Sequence, residues 1–452
     1  MNPQVFREYD IRGVVQNDFD DEFVVNLGRA YATILIEAGK HNITLGRDCR
    51  LSSDMLRERL LEGLLSAGIN VTDIGVVPTP LLYFSMLHWK MDGGAMITGS
   101  HNAAEYNGFK LGVGPSTIFG SEIQRVRQII EARAFRSIDA GGALNFRPVL
   151  PDYQEYIKSN IRLTPGMKVV VDGGNGCGGV VAVPLMRQMG LETVELYVEM
   201  DGRFPHHHPD PTVEENMRDL QAAVKNTGAL VGIAYDGDAD RIGAVDENQR
   251  IVWGDELMVV FSRAILKERP GATIIGDVKC SRRLYDDIAG HGGRPIMWKT
   301  GHSLIKSKLK QEGAALAGEM SGHMFFNDRY YGFDDAIYAS LRLLEILGQE
   351  GRGLAALLSD LPETRFTPEI RLDCPDEHKF EVVRKAADYF RSNYPTDDID
   401  GARVTFPGGW GLVRASNTQP ALVMRFEARD EETLGEIRSI FERKLKELGA
   451  AV

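Results

Sequence analysis

The chain has 452 residues, of which 43% are hydrophobic and 26% charged, so its composition is that of a globular protein with several domains. Its formal net charge of −12 and its pI of about 5.4 argue against nucleic acid or an anionic membrane surface as a partner. An acidic protein can still bind a phosphorylated small molecule where arginine and lysine side chains converge in a cleft.

Three sequence features bear on the compartment. The four cysteines are far apart and lack metal-ligand spacing, the N-terminal segment lacks the pattern of a signal peptide, and no apolar run approaches the length of a membrane span. We therefore expect a cytoplasmic protein with reduced thiols.

One pattern of elements recurs along the chain. An apolar strand ends in a loop that contains glycine or aspartate, and a helical pattern follows; this happens at residues 43–48, 168–174 and 273–277. Strands that alternate with helices favour a mostly parallel sheet covered on both faces. We predict three related α/β domains with mostly parallel, mixed sheets.

The last part of the chain has a different pattern. A helix is predicted at residues 377–394, short strands near 402–406, 411–413 and 421–427, and a final helix with one apolar stripe. This order is typical of an α+β domain with an antiparallel sheet. The predicted domains comprise residues 1–146, 147–250, 251–361 and 362–452.

The segment Thr98-Gly-Ser-His-Asn102 follows a predicted strand at residues 94–97. Gly99 permits a tight backbone path that leaves Ser100 on the crest of the loop. Taken alone, this segment is more typical of a helix cap or a turn than of a nucleophile, because neighbouring Ser and His side chains often diverge. Lys110 follows, and it either faces Ser100 and holds a phosphate or is an ordinary surface lysine.

The segment Asp236-Gly-Asp-Ala-Asp-Arg241 follows an apolar run that predicts a buried strand. Three carboxylates on alternate residues repel one another, so a hard cation with oxygen ligands, such as Mg²⁺, is the best explanation. Arg241 adds an anion-binding group and so favours phosphate chemistry. A ligand-free acidic turn is the alternative. An EF-hand is disfavoured because Arg241 stands where that loop needs glycine.

Together these motifs resemble those of the α-D-phosphohexomutases, in the family's order and over essentially the whole chain. The branch that acts on glucose and mannose phosphates is the most similar one. Any single motif is modest support, whereas five in register are strong support. The five segments are Arg7-Glu-Tyr-Asp-Ile-Arg-Gly13, Thr98-Gly-Ser-His-Asn102, Asp236-Gly-Asp-Ala-Asp-Arg241, Gly318-Glu-Met-Ser-Gly-His323 and Arg414-Ala-Ser-Asn-Thr418.

The resemblance implies four domains around a central cleft and an intramolecular phosphotransferase. Ser100 would carry a phosphoryl group and exchange it with a hexose 1-phosphate or 6-phosphate, through a hexose 1,6-bisphosphate that is both intermediate and activator. Mg²⁺ would be the cofactor, bound by a phosphoryl oxygen on Ser100 and by Asp236, Asp238 and Asp240.

The resemblance also implies roles for other side chains. The residues expected to take part in catalysis besides Ser100 are Arg12, His101, Lys110, Arg241 and His323, with His323 and Lys110 ranked first as proton carriers. The residues expected to bind the sugar or its non-reacting phosphate are Tyr9, Lys279, His302, Glu319, Ser321, Arg414, Ser416, Asn417 and Thr418.

Two further readings stay open at the level of sequence. One is a mutase for glucosamine phosphate, although Thr98 and Met320 favour the glucose and mannose branch by analogy. The other is a catalytically silent protein that binds sugar phosphates. Ala103 and Ala104 replace prolines that are frequent in the family, which removes no chemical group. We expect a small-molecule phosphosugar as the partner, no nucleic acid or membrane partner, and a monomer or weak dimer.

A run of three histidines at residues 206–208 also resembles a feature of the family, which has a segment rich in histidine and proline there. We interpret it as a structural loop rather than as a transition-metal site.

Overall fold

The structure, a computed structural model, describes residues 1–417 and 419–450. Within these residues the strands form four separate sheets that follow one another along the chain. The first three sheets mix parallel and antiparallel pairs, and the last is antiparallel throughout. The predicted fold class, three α/β domains followed by an α+β domain, is therefore confirmed.

The first sheet has the strand order β1-β5-β4-β2-β3-β7, with β6 paired to β5. Its strands are β1 (Ile11–Val14), β2 (Asn42–Arg47), β3 (Asn70–Val76), β4 (Gly93–Ile97), β5 (Tyr106–Val113), β6 (Ser116–Thr117) and β7 (Leu144–Phe146). The accompanying helices are α1 (Val15–Asp18), α2 (Asp21–Glu37), α3 (Ser53–Ser66), α4 (Thr79–His88) and α5 (Ser121–Ala132). Helix α2 begins where Asp20 accepts a hydrogen bond from the Phe23 amide, the usual N-cap contact.

The second sheet has the order β12-β11-β10-β8-β9. It comprises β8 (Lys168–Asp172), β9 (Glu192–Leu196), β10 (Val231–Tyr235), β11 (Ile242–Asp246) and β12 (Ile251–Val252), with helices α6 (Leu150–Asn160), α7 (Gly179–Gln188) and α8 (Arg218–Thr227). The central strands β8 and β10 are apolar because helices cover both faces of the sheet.

The third sheet has the order β14-β13-β15-β16. Its strands are β13 (Thr273–Asp277), β14 (Arg294–Trp298), β15 (Leu316–Gly318) and β16 (Met324–Phe326). Its helices are α9 (Gly254–Glu268), α10 (Arg282–Gly290), α11 (His302–Glu312), α12 (Ala336–Glu350) and α13 (Leu354–Leu358).

The first three sheets share one topology, which positions the site. Their common cores are β3-β2-β4-β5, β9-β8-β10-β11 and β14-β13-β15-β16. In each core the first three strands in sequence are parallel, and the fourth returns antiparallel beside the third. The loops of these three returning hairpins contain Ser100, residues 236–241 and residues 319–323, respectively. Three equivalent loops therefore supply three parts of the predicted site.

The last sheet has the order β17-β22-β21-β20-β19, with β18 paired to β22. Its strands are β17 (Arg365–Phe366), β18 (Ile370–Asp373), β19 (Thr396–Asp397), β20 (Ala402–Phe406), β21 (Gly409–Ala415) and β22 (Ala421–Ala428). Helices α14 (Asp376–Asn393) and α15 (Glu431–Glu447) cover one face. The apolar stripe of α15 is buried through Leu434, Ile437, Phe441 and Leu445.

The buried hydrophobic side chains form separate clusters of different extent. One core joins the second and third sheets to helix α4 of the first domain, whereas the last domain has its own core around Phe390, Phe426 and Phe441. A small apolar cluster of Val278, Trp410 and Leu412 joins the last domain to the third. Within residues 1–417 and 419–450, none of the helices has both the length and the hydropathy needed to cross a bilayer.

Candidate active site

Ser100 lies in the loop after β4 and is almost completely buried, with 2% of its surface exposed. Its φ angle is +48°, in the left-handed region that residues other than glycine rarely adopt. The hydroxyl Oγ donates a hydrogen bond to Asp236 Oδ2 at 3.0 Å and lies 3.1 Å from His101 Nδ1. The contact between residue 100 and the carboxylate loop, which the sequence analysis requires, is therefore present.

The carboxylate loop joins β10 to β11 and closes on itself. Asp236 Oδ1 accepts hydrogen bonds from the main-chain amides of Asp240 and Arg241 at 3.0 and 3.1 Å. Gly237 approaches the Ser100 loop so closely that a Cβ atom there would lie 2.4 Å from the Ser100 carbonyl oxygen. The second domain therefore meets the first at the site through main chain, with no room for a side chain.

Lys110, on β5, neutralises part of this loop. Its Nζ lies 2.7 Å from Asp238 Oδ2 and 2.6 Å from Asp240 Oδ2, and Thr79 Oγ1 donates to the same Asp238 oxygen at 2.5 Å. Burial lowers the pKa of the Lys110 amine, but Asp238 and Asp240 outweigh burial and raise that pKa well above its usual value. Lys110 is therefore a buried cation.

The remaining carboxylate oxygens fit a divalent cation. Asp238 Oδ1 and Asp240 Oδ1 are buried and have no hydrogen-bond partner among the described residues. Burial, followed by the charges of Asp240 and Asp238, raises the pKa of Asp236 well above its usual value. One ligand oxygen from each of the three lies within 4.8 Å of the others. A cation with oxygen ligands would offset this repulsion and satisfy both oxygens.

Arg241 and His323 connect the second domain to the third. Arg241 Nε donates to His323 Nε2 at 3.0 Å, and His323 Nδ1 lies 3.1 Å from Asp334 Oδ2 and 3.5 Å from Asp240 Oδ1. Because Nε2 accepts a proton donor, the neutral ring carries its proton on Nδ1, beside the carboxylates. Asp334 also pairs with Lys306, at 3.2 Å.

A cavity of about 470 Å³ opens above these groups, between all four domains. This volume is typical of a small-molecule site. Its lining includes the predicted residues Tyr9, Arg12, His101, Arg241, Lys279, His302, Glu319, Ser321, His323, Arg414, Ser416 and Asn417. Ser100, Lys110 and the three aspartates lie behind His101 and Arg241, and Thr418 lies outside the described residues.

The loop of residues 319–323, between β15 and β16, is held in place by hydrogen bonds to Glu319. Glu319 accepts the Gly301 amide at 2.7 Å and the Ser321 hydroxyl at 3.1 Å. Beside this loop, burial, followed by the nearby charge of Lys306, lowers the pKa of His302 well below its usual value, so that ring is neutral. Neutral and acidic groups therefore line this side of the cavity.

Lysine and arginine side chains also line the cavity. Lys279 Nζ pairs with Glu369 at 3.0 Å, and Arg414 Nε donates to Asp400 at 2.9 Å. Arg371 also lines the cavity and pairs with Glu369. These arginine and lysine side chains come from the third and fourth domains, and together they form an anion-binding surface.

Several residues of the site lack a sequence signal. Thr79, Asp334, Glu369 and Asp400 contact predicted site residues across separations that no local motif spans, and Arg371 joins the site through Glu369. Thr79 is the first residue of helix α4, directly after Pro78. Of the two alternatives for Lys110, the surface lysine is wrong, because the side chain is buried and its direct partners are Asp238 and Asp240.

Comparison with protein families places the whole chain in one of them. Four models of phosphoglucomutase/phosphomannomutase match in order: alpha/beta/alpha domain I at residues 3–137, domain II at 151–249, domain III at 253–364 and the C-terminal domain at 369–444. The matched segments follow the four sheets of the structure.

Individual relatives agree with this match. The phosphomannomutase/phosphoglucomutase of Pseudomonas aeruginosa is 46% identical over 451 residues, which cover 99% of this chain and 96% of that protein. The phosphoglucomutase of Neisseria gonorrhoeae is 43% identical over 440 residues, or 97% and 95% of the two chains. A crystal structure of a phosphoglucomutase/phosphomannomutase family protein from Burkholderia thailandensis superposes with a TM-score of 0.92 at 41% identity, covering 99% of this chain and 98% of that one. This chain belongs to the phosphoglucomutase/phosphomannomutase family.

Proposed function

We propose that this protein is an isomerase that interconverts the 1-phosphates and 6-phosphates of glucose and mannose by passing a phosphoryl group through Ser100. One observation carries the proposal. Ser100 Oγ lies 3.0 Å from Asp236, in a buried carboxylate loop that has two oxygen atoms without partners among the described residues. A hydroxyl that contacts a buried cluster of carboxylates, close to a cavity lined in part by arginine and lysine side chains, supports phosphoryl transfer.

The reaction requires two transfers. In the first, the bond between Ser100 Oγ and phosphorus breaks and a bond from phosphorus to the free sugar hydroxyl forms, which gives a hexose 1,6-bisphosphate. The bisphosphate then turns around, and its other phosphoryl group passes back to Ser100. The phosphate has moved between O1 and O6, and the phosphorylated enzyme is restored. If the bisphosphate leaves before the second transfer, Ser100 is left without its phosphoryl group. Added hexose 1,6-bisphosphate would restore that group and so act as an activator.

Mg²⁺ is the proposed cofactor, with Asp236, Asp238, Asp240 and a phosphoryl oxygen on Ser100 as its ligands. When bound, it supplies positive charge that offsets the charge on the transferring phosphoryl oxygens. Lys110 keeps the other oxygens of Asp238 and Asp240 neutralised. The carboxylate loop can therefore be held close to a second anion without strong repulsion.

Arginine side chains orient the reacting phosphoryl group in this proposal. Arg12 donates to Asn102 at 2.7 Å and pairs with Asp10, so its guanidinium is held at the edge of the Ser100 loop. Arg241 lies on the other side, against His323. Fixed cations at both sides stabilise charge that spreads over the phosphoryl oxygens in the transition state.

A proton must leave the sugar hydroxyl in each transfer and must return to the departing Ser100 oxygen. His323 and Lys110 are the proposed carriers for the sugar hydroxyl. His101 is the only imidazole in hydrogen-bond contact with Ser100 Oγ among the described residues, which favours it for the serine side. Burial, followed by the charges of Arg241 and Arg12, lowers the pKa of His101 well below its usual value, so its ring is neutral.

The remaining predicted residues would bind the substrate. Glu319 and Ser321 would hydrogen-bond O3 and O4 of the sugar, which have the same configuration in glucose and mannose. Arg414, Ser416, Asn417 and Thr418 would hold the non-reacting phosphate, and Tyr9, Lys279 and His302 would contact that phosphate or the sugar. A site that ignores O2 accepts both sugars.

A coupled assay tests the proposal with three substrates: glucose 1-phosphate, mannose 1-phosphate and glucosamine 1-phosphate. We expect comparable turnover of the first two, little turnover of the third, and none in Ser100→Ala. Dominant turnover of glucosamine 1-phosphate would assign the protein to the glucosamine branch instead. Absence of turnover, together with measurable binding of sugar phosphates, would identify a silent binding protein.

The setting of the enzyme is also proposed. The net charge of −12 supports a small-molecule substrate over nucleic acid or an anionic membrane. A cytoplasmic location, a monomer or weak dimer, and the domain boundaries after residues 146, 250 and 361 stay predictions.

A further inference from the structure

The Ser100 loop is held by Arg50, a residue for which the proposed mechanism has no chemical role. Arg50 lies between β2 and α3, and its side chain is completely buried. Its Nε donates to Asp48 at 3.2 Å. The other four N–H groups of the guanidinium all reach main-chain carbonyl oxygens of one loop: Ser100 at 2.8 Å, Asn102 at 2.5 Å, Ala103 at 2.5 Å and Tyr106 at 2.9 Å. All five donors of the arginine are used.

This loop needs external support. The left-handed φ of Ser100 is unfavourable for a residue other than glycine, and such a residue keeps that conformation only where its surroundings hold it. The same conformation directs Ser100 Oγ toward Asp236. Arg50 supplies four hydrogen bonds within residues 100–106, from one rigid planar group.

Asp48 and Gly99 complete the support. Asp48 Oδ2 accepts the Gly99 amide at 3.1 Å as well as Arg50 Nε, while Oδ1 accepts the Arg50 amide at 3.0 Å and the Ser53 hydroxyl at 2.6 Å. A Cβ atom on Gly99 would lie 2.5 Å from Arg50 Cζ. The loop therefore lies directly on the guanidinium, at a distance that only glycine allows.

The second domain also contacts Arg50. The ring of Phe204 lies 5.0 Å from Arg50 Cζ, in a cation–π contact. A Cβ atom on Gly202 would lie 2.7 Å from Arg50 Cα, so the chain around residues 202–204 packs tightly on this segment. Arg50 thus touches both the loop that contains Ser100 and the domain that contains the carboxylate loop.

We infer that Arg50 is a positioning residue for phosphoryl transfer: it holds the Ser100 loop in the conformation that presents Oγ to the carboxylate loop. The inference rests on the proposed function of Ser100. Lysine cannot replace arginine in this role, because an ammonium group has three donors at one point and cannot reach four carbonyls arranged around a plane. Loss of the support should slow the transfer while leaving the sugar-binding surface intact.

The experiment compares wild type with Arg50→Lys, using Arg342→Lys as a matched control. Arg342 is also buried, pairs with Asp328 and lies over an aromatic ring, but it contacts nothing in the Ser100 loop. The rate of Ser100 phosphorylation by glucose 1,6-bisphosphate is followed by intact mass, alongside KM for glucose 1-phosphate and the unfolding midpoint. We expect phosphorylation in Arg50→Lys to be slower by about 100-fold, as for a reacting group displaced by roughly 1 Å.

The pattern of the other readouts separates positioning from general loss of stability. KM should stay within about 3-fold of wild type in Arg50→Lys, since the sugar contacts are elsewhere. Amide hydrogen exchange should increase in residues 98–106. Arg342→Lys should lower the unfolding midpoint and keep the wild-type phosphorylation rate. Phosphorylation of Arg50→Lys at the wild-type rate would overturn the inference.

Two further outcomes have definite meanings. If wild type itself acquires no phosphate on Ser100, the proposed function fails, independently of Arg50. If Arg50→Lys does not fold, Phe204→Leu provides the test, because it removes only the ring that covers the guanidinium. We then expect phosphorylation slower by about 3- to 10-fold with KM unchanged, in line with a lost cation–π contact of about 1 kcal/mol. An unchanged rate in a folded Phe204→Leu would overturn the inference.

Discussion

Lys110 neutralises two carboxylates of the site, although its place in the sequence indicates no such partners. Its ammonium group lies within 2.7 Å of Asp238 and Asp240, and all three side chains are buried. A buried charge whose partner is removed is strongly destabilising, because it keeps the cost of leaving water without compensation. The carboxylate loop therefore depends on Lys110 whenever no metal ion is bound.

We predict that Lys110→Met lowers the free energy of unfolding of the metal-free protein by about 3–5 kcal/mol, the cost of breaking a buried ion pair. Added Mg²⁺ should recover more of that free energy in Lys110→Met than it adds to wild type, because the loop then attracts the cation more strongly. Urea unfolding with and without Mg²⁺ measures both effects. Lys308→Met, which breaks a pair with Glu312 away from the cavity, is the control. If added Mg²⁺ raised the free energy of unfolding of Lys110→Met and of wild type by the same amount, the prediction would be contradicted.

Residues that share a short segment could be predicted from the sequence, and residues that meet across the fold could not. The segment around Asp236 indicates its chemistry within six residues, whereas Ser100 is predicted from the resemblance, through its place among five motifs in register. Arg50 contacts main-chain carbonyls, which are the same whatever the side chains are, and so it leaves no pattern. Asp334 contacts Lys306 and His323. These two residues are 28 and 11 positions away from it and belong to separate elements.

At the scale of elements, the site is built from a repeated unit. Each of the first three domains places a functional loop between the third strand of its common core and the antiparallel strand that follows. The recurring strand and helix pattern predicted these related domains. The antiparallel return was not predicted, because periodicity indicates a strand without giving its direction.

The loop of residues 197–213, after β9, contains a titrating side chain, His207. His207 Nε2 lies 3.1 Å from a carboxylate oxygen of the buried Asp172, and His207 Nδ1 lies 2.8 Å from the His208 carbonyl. Both ring nitrogens thus face acceptors, which favours the doubly protonated ring. Burial lowers the pKa of His207, but the contacts with Asp172 and His208 outweigh burial and raise it above the usual value.

The sign of the pH dependence follows from this raised pKa. The ring of His207 holds its proton more strongly in the folded loop than in the unfolded chain. Its stabilising contribution is therefore fully present below about pH 6.5 and is lost as the pH rises through the folded pKa. We predict that amide exchange in residues 198–213, corrected for intrinsic rates, is faster relative to the rest of the protein at pH 8 than at pH 6. His207→Gln should abolish this difference. Equal protection of the wild-type loop at both pH values would contradict the prediction.

At the scale of the molecule, the last domain has its own main core and meets the others through a small apolar cluster and through polar contacts. Tyr9, from the first domain, donates to the Thr300 carbonyl of the third domain at 2.9 Å and accepts from Asn417 of the last domain at 2.6 Å. One hydroxyl therefore bridges three domains at the cavity. Closure of the last domain over a substrate, with reopening when the bisphosphate turns around, is consistent with contacts of this kind.

We predict that Tyr9→Phe raises KM for glucose 1-phosphate by about 5- to 30-fold while kcat changes by less than about 3-fold, since two neutral hydrogen bonds that favour closure are lost. Steady-state kinetics with saturating glucose 1,6-bisphosphate provide the measurement. Tyr389→Phe, on the outer helix α14, is the control. A fall in kcat at constant KM would instead assign the Tyr9 hydroxyl to the chemical step.

The most direct test of the account is whether Ser100 carries the transferred phosphate. The protein is incubated with glucose 1,6-bisphosphate and Mg²⁺, the phosphorylated residue is identified by peptide mass spectrometry, and excess glucose 6-phosphate is then added. The account predicts one phosphoryl group on Ser100 that glucose 6-phosphate removes, and neither phosphorylation nor turnover in Ser100→Ala. Full turnover by Ser100→Ala, or turnover by wild type with the phosphate on another residue, would contradict it.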